Sequence, residues 1–268
     1  METVLILLKV LLPVAYLAAL WAYGRAFFRV EADGSSALAR TAMVAALSVH
    51  TALLVLLAIT FYRCPLWTQG EALLFLAWML AMLHLLSEWS ADTRLLGVFT
   101  VVPAALAAMV SVFFLGHELA LQTEYRSSWF IFHIVSSLAS YAAFSLAAVL
   151  ASLYLLQYGK LKRKDFDRTF RRLPPLDKLD KLAAAWAFLG SLLMIASSAI
   201  GAWWVRREAL HGMSAQEAGI FVVLAIFLVA AVSRRTLGWR GRRHALWVLA
   251  GYAALVLSNL WLHGFFRA

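Results

Sequence analysis

Cysteine and charged residues are both scarce in this sequence. Its 268 residues include a single cysteine, Cys64, and only 14% of them are Asp, Glu, Lys or Arg. One cysteine excludes an internal disulfide framework and a Cys-x-x-Cys redox pair, although a bridge to another chain stays open. Cys64 is therefore interpreted as an ordinary loop thiol.

Apolar residues dominate the composition instead. They make up 63% of the chain, with a mean hydropathy of +0.80, against roughly 45–50% in a soluble globular domain. We therefore predict an all-α, polytopic membrane protein with one helical domain over residues 1–268 and no room for a large soluble domain. Each crossing takes about 20 apolar residues, and the apolar runs predict eight spans, at 4–24, 41–62, 72–90, 95–115, 129–158, 183–205, 216–233 and 244–266.

Lysine and arginine are distributed unevenly between the two sides that these spans define. The segment 159–182 carries nine of them and the segment 234–243 carries five. Short loops rich in Lys and Arg stay in the cytoplasm, so both segments are predicted inside and both chain termini outside. The net charge of +10 is then mainly a signal of topology, and the lipid bilayer is the expected partner. No nucleic-acid binding is expected, because a soluble fold and interleaved aromatic residues are missing.

Three histidines in the spans are candidate ligands. This orientation places His133 at the outer end of span five, His263 near the outer end of span eight and His50 midway along span two. An imidazole in hydrocarbon is costly without a partner, which makes such residues functional candidates. Imidazole is a natural axial ligand of haem iron, and tryptophans near the outer interface could line a pocket or simply form the aromatic belt of a membrane protein. The candidates for that pocket are Trp129, Trp203 and Trp204.

Three segments of the chain carry a family resemblance. They are WFIFHIVSSLASYAAFSLAAVLASLYLLQYGKLKRK at 129–164, LPPLDKLDKLAAAWAFLGSLLMIASSAIGAWW at 173–204 and GWRGRRHALWVLAGYAALVLSNLW at 238–261. In this order they resemble the cytochrome c assembly proteins of the CcsA, CcmC and HemX type, over about residues 40–266. The resemblance implies a helical bundle in the bacterial cytoplasmic (inner) membrane that handles haem b at its outer face for cytochrome biogenesis.

The resemblance also assigns roles to individual residues. His133, ahead of the Ser-x-x-x-Tyr segment that ends at Tyr141, matches the outer haem-ligating histidine of the family. His263 would be the second iron ligand, and His50 resembles a histidine in an early span of the synthase members. The family's Trp-Asp-x-x-Glu-x-Trp motif is degenerate here, because residues 213–219 retain only Glu217. This pattern is similar to the short HemX and YpjD branch, and implies a protein that is not an enzyme by itself. At most it would belong to a haem-attachment system, with a second assembly subunit or apocytochrome c as partner.

Two other functions stay open at this point. The first is a non-catalytic regulator or scaffold subunit that binds a cytoplasmic partner through the basic loop 159–182. The second is a solute transporter, for which the sequence gives little support, because no pair of broken helices recurs between its halves. Among charged residues, only Lys9 and Glu71 are expected at depth, and we expect both to snorkel. For His84 we expect a hydrogen bond to a neighbouring helix.

Overall fold

Helices make up most of the described backbone, and short turns and loops connect them. The computed structural model describes residues 2–28, 33–91, 94–115, 128–207 and 215–262, with side chains at all of these except 33–36, 91, 94, 204–207, 215–220 and 260–262. Within these ranges there is no strand. The helices are α1 (Glu2–Phe28), α2 (Asp33–Phe61), α3 (Gln69–Ala91), α4 (Gly97–Phe114), α5 (Ser128–Lys162), α6 (Arg168–Arg172), α7 (Leu176–Arg207), α8 (Ala215–Thr236) and α9 (Arg242–Leu262).

The long helices coincide with the predicted spans. Helices α1 to α5 and α7 are each long and apolar enough, over their described residues, to cross a membrane. Helices α8 and α9 lie where the seventh and eighth spans are predicted. The all-α, polytopic membrane architecture is thus confirmed, while the side on which the termini lie stays a prediction.

The helices divide into two compact units, Met1–Ser127 and Ser128–Ala268. We describe each unit by itself, and the single domain expected from the sequence stays a prediction. In the first unit α1 packs on α2 and α4, and α3 packs on α4. The Lys9 ammonium near the start of α1 donates a hydrogen bond of 3.4 Å to the carbonyl oxygen of Leu115, directly after α4. The start of α1 therefore lies beside the end of α4.

Small residues let the helices of the second unit approach closely. Helices α5 and α7 form its most extensive contact, and α9 packs on both α5 and α8. The Phe144 and Phe227 rings stack with their centroids 3.7 Å apart. Each ring lies over a glycine, Phe144 over Gly190 and Phe227 over Gly251, where a Cβ atom would approach the ring to 2.6 and 2.8 Å. Glycines at such contacts are typical of membrane helix packing.

Helix α5 is long for a single crossing. At about 1.5 Å per residue, its 35 residues extend about 52 Å, against a hydrocarbon core of about 30 Å. Because α5 runs from Ser128 to Lys162, it carries His133 near one end and the basic segment at the other.

Candidate functional site

His133 lies in the second turn of α5 and is held by α7. Its Nδ1 is 2.8 Å from the carbonyl oxygen of Ser197 and 3.1 Å from the Ser197 hydroxyl. A carbonyl oxygen can only accept, so Nδ1 carries the proton and donates it. The neutral ring therefore has its lone pair on Nε2, which forms no hydrogen bond within the described residues. A histidine fixed through Nδ1–H to a backbone carbonyl, with Nε2 free, is the arrangement found in metal-binding imidazoles.

The rest of the α5–α7 contact fixes the ring in place. The Ser137 and Ser197 hydroxyls lie within hydrogen-bond distance of each other and, at 2.8 and 3.1 Å, of the carbonyl oxygen of His133, so one hydroxyl can donate to the carbonyl and the other to its neighbour. On the other side the imidazole lies against Gly201, where a Cβ atom would come within 2.8 Å of Cε1 and 2.9 Å of Nδ1. The ring can lie there only because residue 201 has no side chain. Gly201 thus lets the imidazole pack closely against α7, and Ser197 orients it.

Two of the three candidate pocket tryptophans contact each other, and they lie close in sequence to His133 and Gly201. The indole centroids of Trp129 and Trp203 are 4.9 Å apart, with their planes inclined by 59°. Trp129 lies four residues before His133, on the same face of α5, and Trp203 follows Gly201 by two residues. The two side chains are 49% and 43% exposed, so their faces can contact lipid or a flat apolar ligand. The side chain of Trp204 lies outside the described residues.

Tyr141 lies two turns farther along the same face of α5. Its hydroxyl lies near the side chain of Asn259 on α9. Tyr141 is thus a contact between α5 and α9, and the structure does not bring it to His133. His263 lies outside the described residues, as does the side chain of Glu217, whose backbone belongs to the first turn of α8.

His50 belongs to the first unit, in a separate environment. It is fully buried, and its Nδ1 is 2.9 Å from the hydroxyl of Tyr16, with the two rings edge to face. Its Nε2 faces the backbone of Leu74 without a hydrogen bond of good geometry among the described residues. The described residues contain no group of three His, Cys, Asp or Glu that could hold a metal ion.

Sequence reasoning missed a buried polar cluster in the first unit. Glu88, 2% exposed, accepts a hydrogen bond of 2.9 Å from the Arg40 guanidinium and another from the Tyr23 hydroxyl. His84 is 2.9 Å from the Tyr23 hydroxyl through Nε2 and 2.8 Å from Thr100 through Nδ1. The expected hydrogen bond from His84 to a neighbouring helix is therefore confirmed, and Glu88, at i+4 from it, is the signal that could have indicated the cluster.

Cys64 lies between α2 and α3 and is partly buried. Burial raises the pKa of its thiol above the usual range, and the nearby Glu71 carboxylate raises it further. The thiol is therefore protonated at neutral pH and is a poor metal ligand or nucleophile. This agrees with its interpretation as a loop thiol.

Comparisons with known proteins point to one family. The sequence profile of the family described as "Cytochrome C assembly protein" matches residues 66–265. The chain is similar to "Protein HemX" of Bacillus subtilis (strain 168), with 30% identity over 200 residues that cover 73% of this chain and 72% of that protein. It is also similar to "Cytochrome c biogenesis protein CcsA" of Mesostigma viride, with 26% identity over 225 residues that cover 74% of each.

Proposed function

Because the chain belongs to the cytochrome c assembly protein family, we propose that it handles haem for cytochrome c biogenesis, with His133 as an axial ligand. The observation that carries the proposal is the tautomer of His133, whose Nδ1 donates to the Ser197 carbonyl while Nε2 is without a partner in the described residues. An imidazole oriented in this way is prepared for iron before any haem arrives.

The surrounding residues fit a porphyrin. Trp129 and Trp203 offer aromatic surface beside His133. Because residue 201 is a glycine, no side chain at this position covers the edge of the His133 imidazole. Haem b would supply an iron centre and a flat apolar macrocycle, and His133 would bind the iron through Nε2. His263 is the candidate for the second ligand: Asn259, four residues before it in the sequence, contacts Tyr141 on the helix that carries His133.

The proposed setting is the bacterial cytoplasmic membrane, with the His133 end of α5 outside. The Lys and Arg content of the segments 159–182 and 234–243 supports this orientation. A second assembly subunit or apocytochrome c would then receive the haem outside the cytoplasm. The single native cysteine makes the orientation testable: in a Cys64→Ser background, we expect an impermeant maleimide to label Ser128→Cys in intact cells and Arg163→Cys only after lysis. The opposite labelling would reverse the orientation.

The haem proposal is tested by the absorption spectrum of the detergent-purified protein, oxidised and reduced. We expect a histidine-ligated haem band in the unchanged protein that is lost or shifted in His133→Ala and weakened in His263→Ala. Ser136→Ala is the matched control, because among the described residues the Ser136 hydroxyl bonds only to carbonyls of its own helix, those of Phe132 and His133. A protein that binds no haem, or an identical band in His133→Ala, would contradict the proposal.

A second candidate function is that of a regulatory or scaffold subunit. It rests on the hydrogen bonds that give the basic loop 159–182 a defined conformation. The Asp167 carboxylate accepts a hydrogen bond of 2.6 Å from Lys160. It also accepts one of 2.9 Å from the backbone N–H of Phe170, so Asp167 caps the start of α6. The Lys160 hydrogen bond, with that of Phe170, holds the pKa of the Asp167 carboxyl below its usual range. The result is an exposed basic surface of defined shape, suited to an acidic cytoplasmic partner. Charge reversal at Arg163 and Arg171 would abolish cytochrome maturation under this candidate, whereas His133→Ala would leave it unchanged.

A further inference from the structure

The second unit contains a cleft in which basic side chains face an apolar wall. It lies where the first turns of α7 and α9 meet the end of α8, and has a volume of about 560 Å³. Alanines of α7 and α8 together with Phe188 form the wall. The cleft's basic residues are Lys181, Arg234, Arg235, Arg240 and His244.

The acidic residues near this cleft neutralise only part of its charge. Asp180 is 2.8 Å from the Arg234 guanidinium and also accepts a hydrogen bond of 3.0 Å from the backbone N–H of Gly241. Lys181 pairs with the exposed Asp177 at 2.7 Å. Arg235 and Arg240 have no acidic partner among the described residues. The cleft therefore carries an excess of positive charge, which an anion would balance.

His244 adds a buried polar atom that lacks a partner. Its side chain lines the cleft and is 2% exposed. Its Nδ1 lies 3.6 Å from an oxygen of Asp180, beyond hydrogen-bond distance, and has no other hydrogen-bond partner in the described part of the chain. A buried polar group without a partner is costly, and an acceptor oxygen bound in the cleft would remove that cost.

The wall of the cleft continues along the side of α7. Phe188, Leu192 and Ile195 are spaced at i, i+4 and i+7 and are 38%, 48% and 41% exposed. They form an apolar stripe on a helix that is long and apolar enough to span the membrane. At the end of this stripe the Arg235 guanidinium lies 4.9 Å from the centre of the Phe188 ring. A ligand that fits both parts has an anionic head and an apolar tail.

We propose that this cleft binds an acidic phospholipid, with its phosphate held by Arg235, Arg240 and His244 and an acyl chain along Phe188, Leu192 and Ile195. Basic pockets between membrane helices at the cytoplasmic interface bind acidic lipid headgroups in this way. The apolar stripe favours a lipid over free phosphate, because inorganic phosphate would leave it uncovered. The site is separate from His133 and does not depend on haem binding.

Native mass spectrometry of the full-length protein in detergent tests the proposal. Dioleoyl phosphatidylglycerol is titrated beside dioleoyl phosphatidylcholine, with inorganic phosphate as a soluble competitor. We expect one preferred phosphatidylglycerol adduct that phosphate does not displace. In the double variant Arg235→Ala, Arg240→Ala the affinity for phosphatidylglycerol should fall about thirtyfold, with that for phosphatidylcholine unchanged. Both arginines are exposed, so the variant should keep its fold, and an unchanged melting temperature checks this.

The matched control also removes two exposed cations, Lys162 and Arg163 at the end of α5, outside the cleft. The control Lys162→Ala, Arg163→Ala should change the phosphatidylglycerol affinity less than twofold. An equal loss in both double variants, or no preference for phosphatidylglycerol over phosphatidylcholine, would overturn the site. Displacement of the lipid by inorganic phosphate would overturn the assignment to a lipid.

Discussion

His84 and His133 are both histidines of membrane-spanning helices, but their hydrogen bonding is opposite. In the first unit His84 uses both ring nitrogens, one with Tyr23 and one with Thr100, and Glu88 lies 3.6 Å away. In the second unit His133 uses only Nδ1 within the described residues. Disturbing the network around His84 costs folding free energy, and neither ring nitrogen of His84 is open to a ligand. A histidine with one open nitrogen contributes less to stability and can bind iron.

Glu88→Ala is expected to have the largest effect, on the closed network. The buried Glu88 carboxylate is the acceptor for both Arg40 and Tyr23, and losing two hydrogen bonds to a charged group costs about 3–5 kcal/mol. The free energy of unfolding in detergent, from denaturant or thermal titration, measures this loss. Glu88→Gln should lose less, because an amide oxygen still accepts. An unchanged stability in Glu88→Ala would show that the cluster does not hold the first unit together.

Alanine at each histidine sharpens the contrast directly. We expect His84→Ala to cost about 2–4 kcal/mol, because it leaves a cavity and breaks two buried hydrogen bonds. We expect His133→Ala to cost about 1 kcal/mol, the value of one hydrogen bond, while it changes the haem spectrum. The comparison fails if the two variants lose equal stability, or if His84→Ala alters the spectrum while the protein stays folded.

Gly201→Ala should disturb His133 without removing it. The new Cβ atom would come within 2.8 Å of the imidazole, and such overpacking typically costs about 1–3 kcal/mol. Displacement of the ring should shift or weaken the haem band. Gly159→Ala is the matched control, because nothing lies within 4 Å of a Cβ atom there. A normal spectrum in Gly201→Ala would mean that the ring position tolerates this shift.

Ser197→Ala should have the smallest effect of the series. It removes a hydroxyl that is 3.1 Å from Nδ1 of His133 but keeps the backbone carbonyl that fixes the tautomer. We expect a loss of about 1 kcal/mol and a haem band close to that of the unchanged protein. A spectrum as altered as that of His133→Ala would assign the orienting role to the hydroxyl instead of the carbonyl.

The sequence predicts the helices well because crossing a membrane requires long apolar runs, which can be read locally. The start of α7 is an instructive difference, since the helix begins at Leu176 and the predicted span at 183. The first turns after Pro174 and Pro175 are charged, and hydropathy does not register them although their backbone is helical. Of these charged residues, Lys181 lines the cleft and Asp180 pairs with Arg234 beside it.

Polar pairs between helices were harder to predict, because they depend on how the helices pack. Arg40 and Glu88 are 48 residues apart, and His133 and Ser197 are 64 apart. Glu71, which we expected to snorkel, is instead 3% exposed and is held by two hydrogen bonds from Arg63, of 2.7 and 2.8 Å. The sequence identifies His133 as a candidate ligand because its neighbours match a family segment. The Ser197 carbonyl that orients His133 could not be identified from the sequence, because every residue has a backbone carbonyl.

The length of α5 has a mechanical consequence. The helix contains no proline, and its 35 residues run without a break from Ser128 to Lys162. An unbroken helix behaves as a stiff lever, since hinges in helices need a proline, a bulge or an inserted group. If α5 tilts by 10° about its middle, each end moves by about 4.5 Å, given a length of about 52 Å at 1.5 Å per residue. An event that moves Lys160 in the basic loop therefore also moves His133.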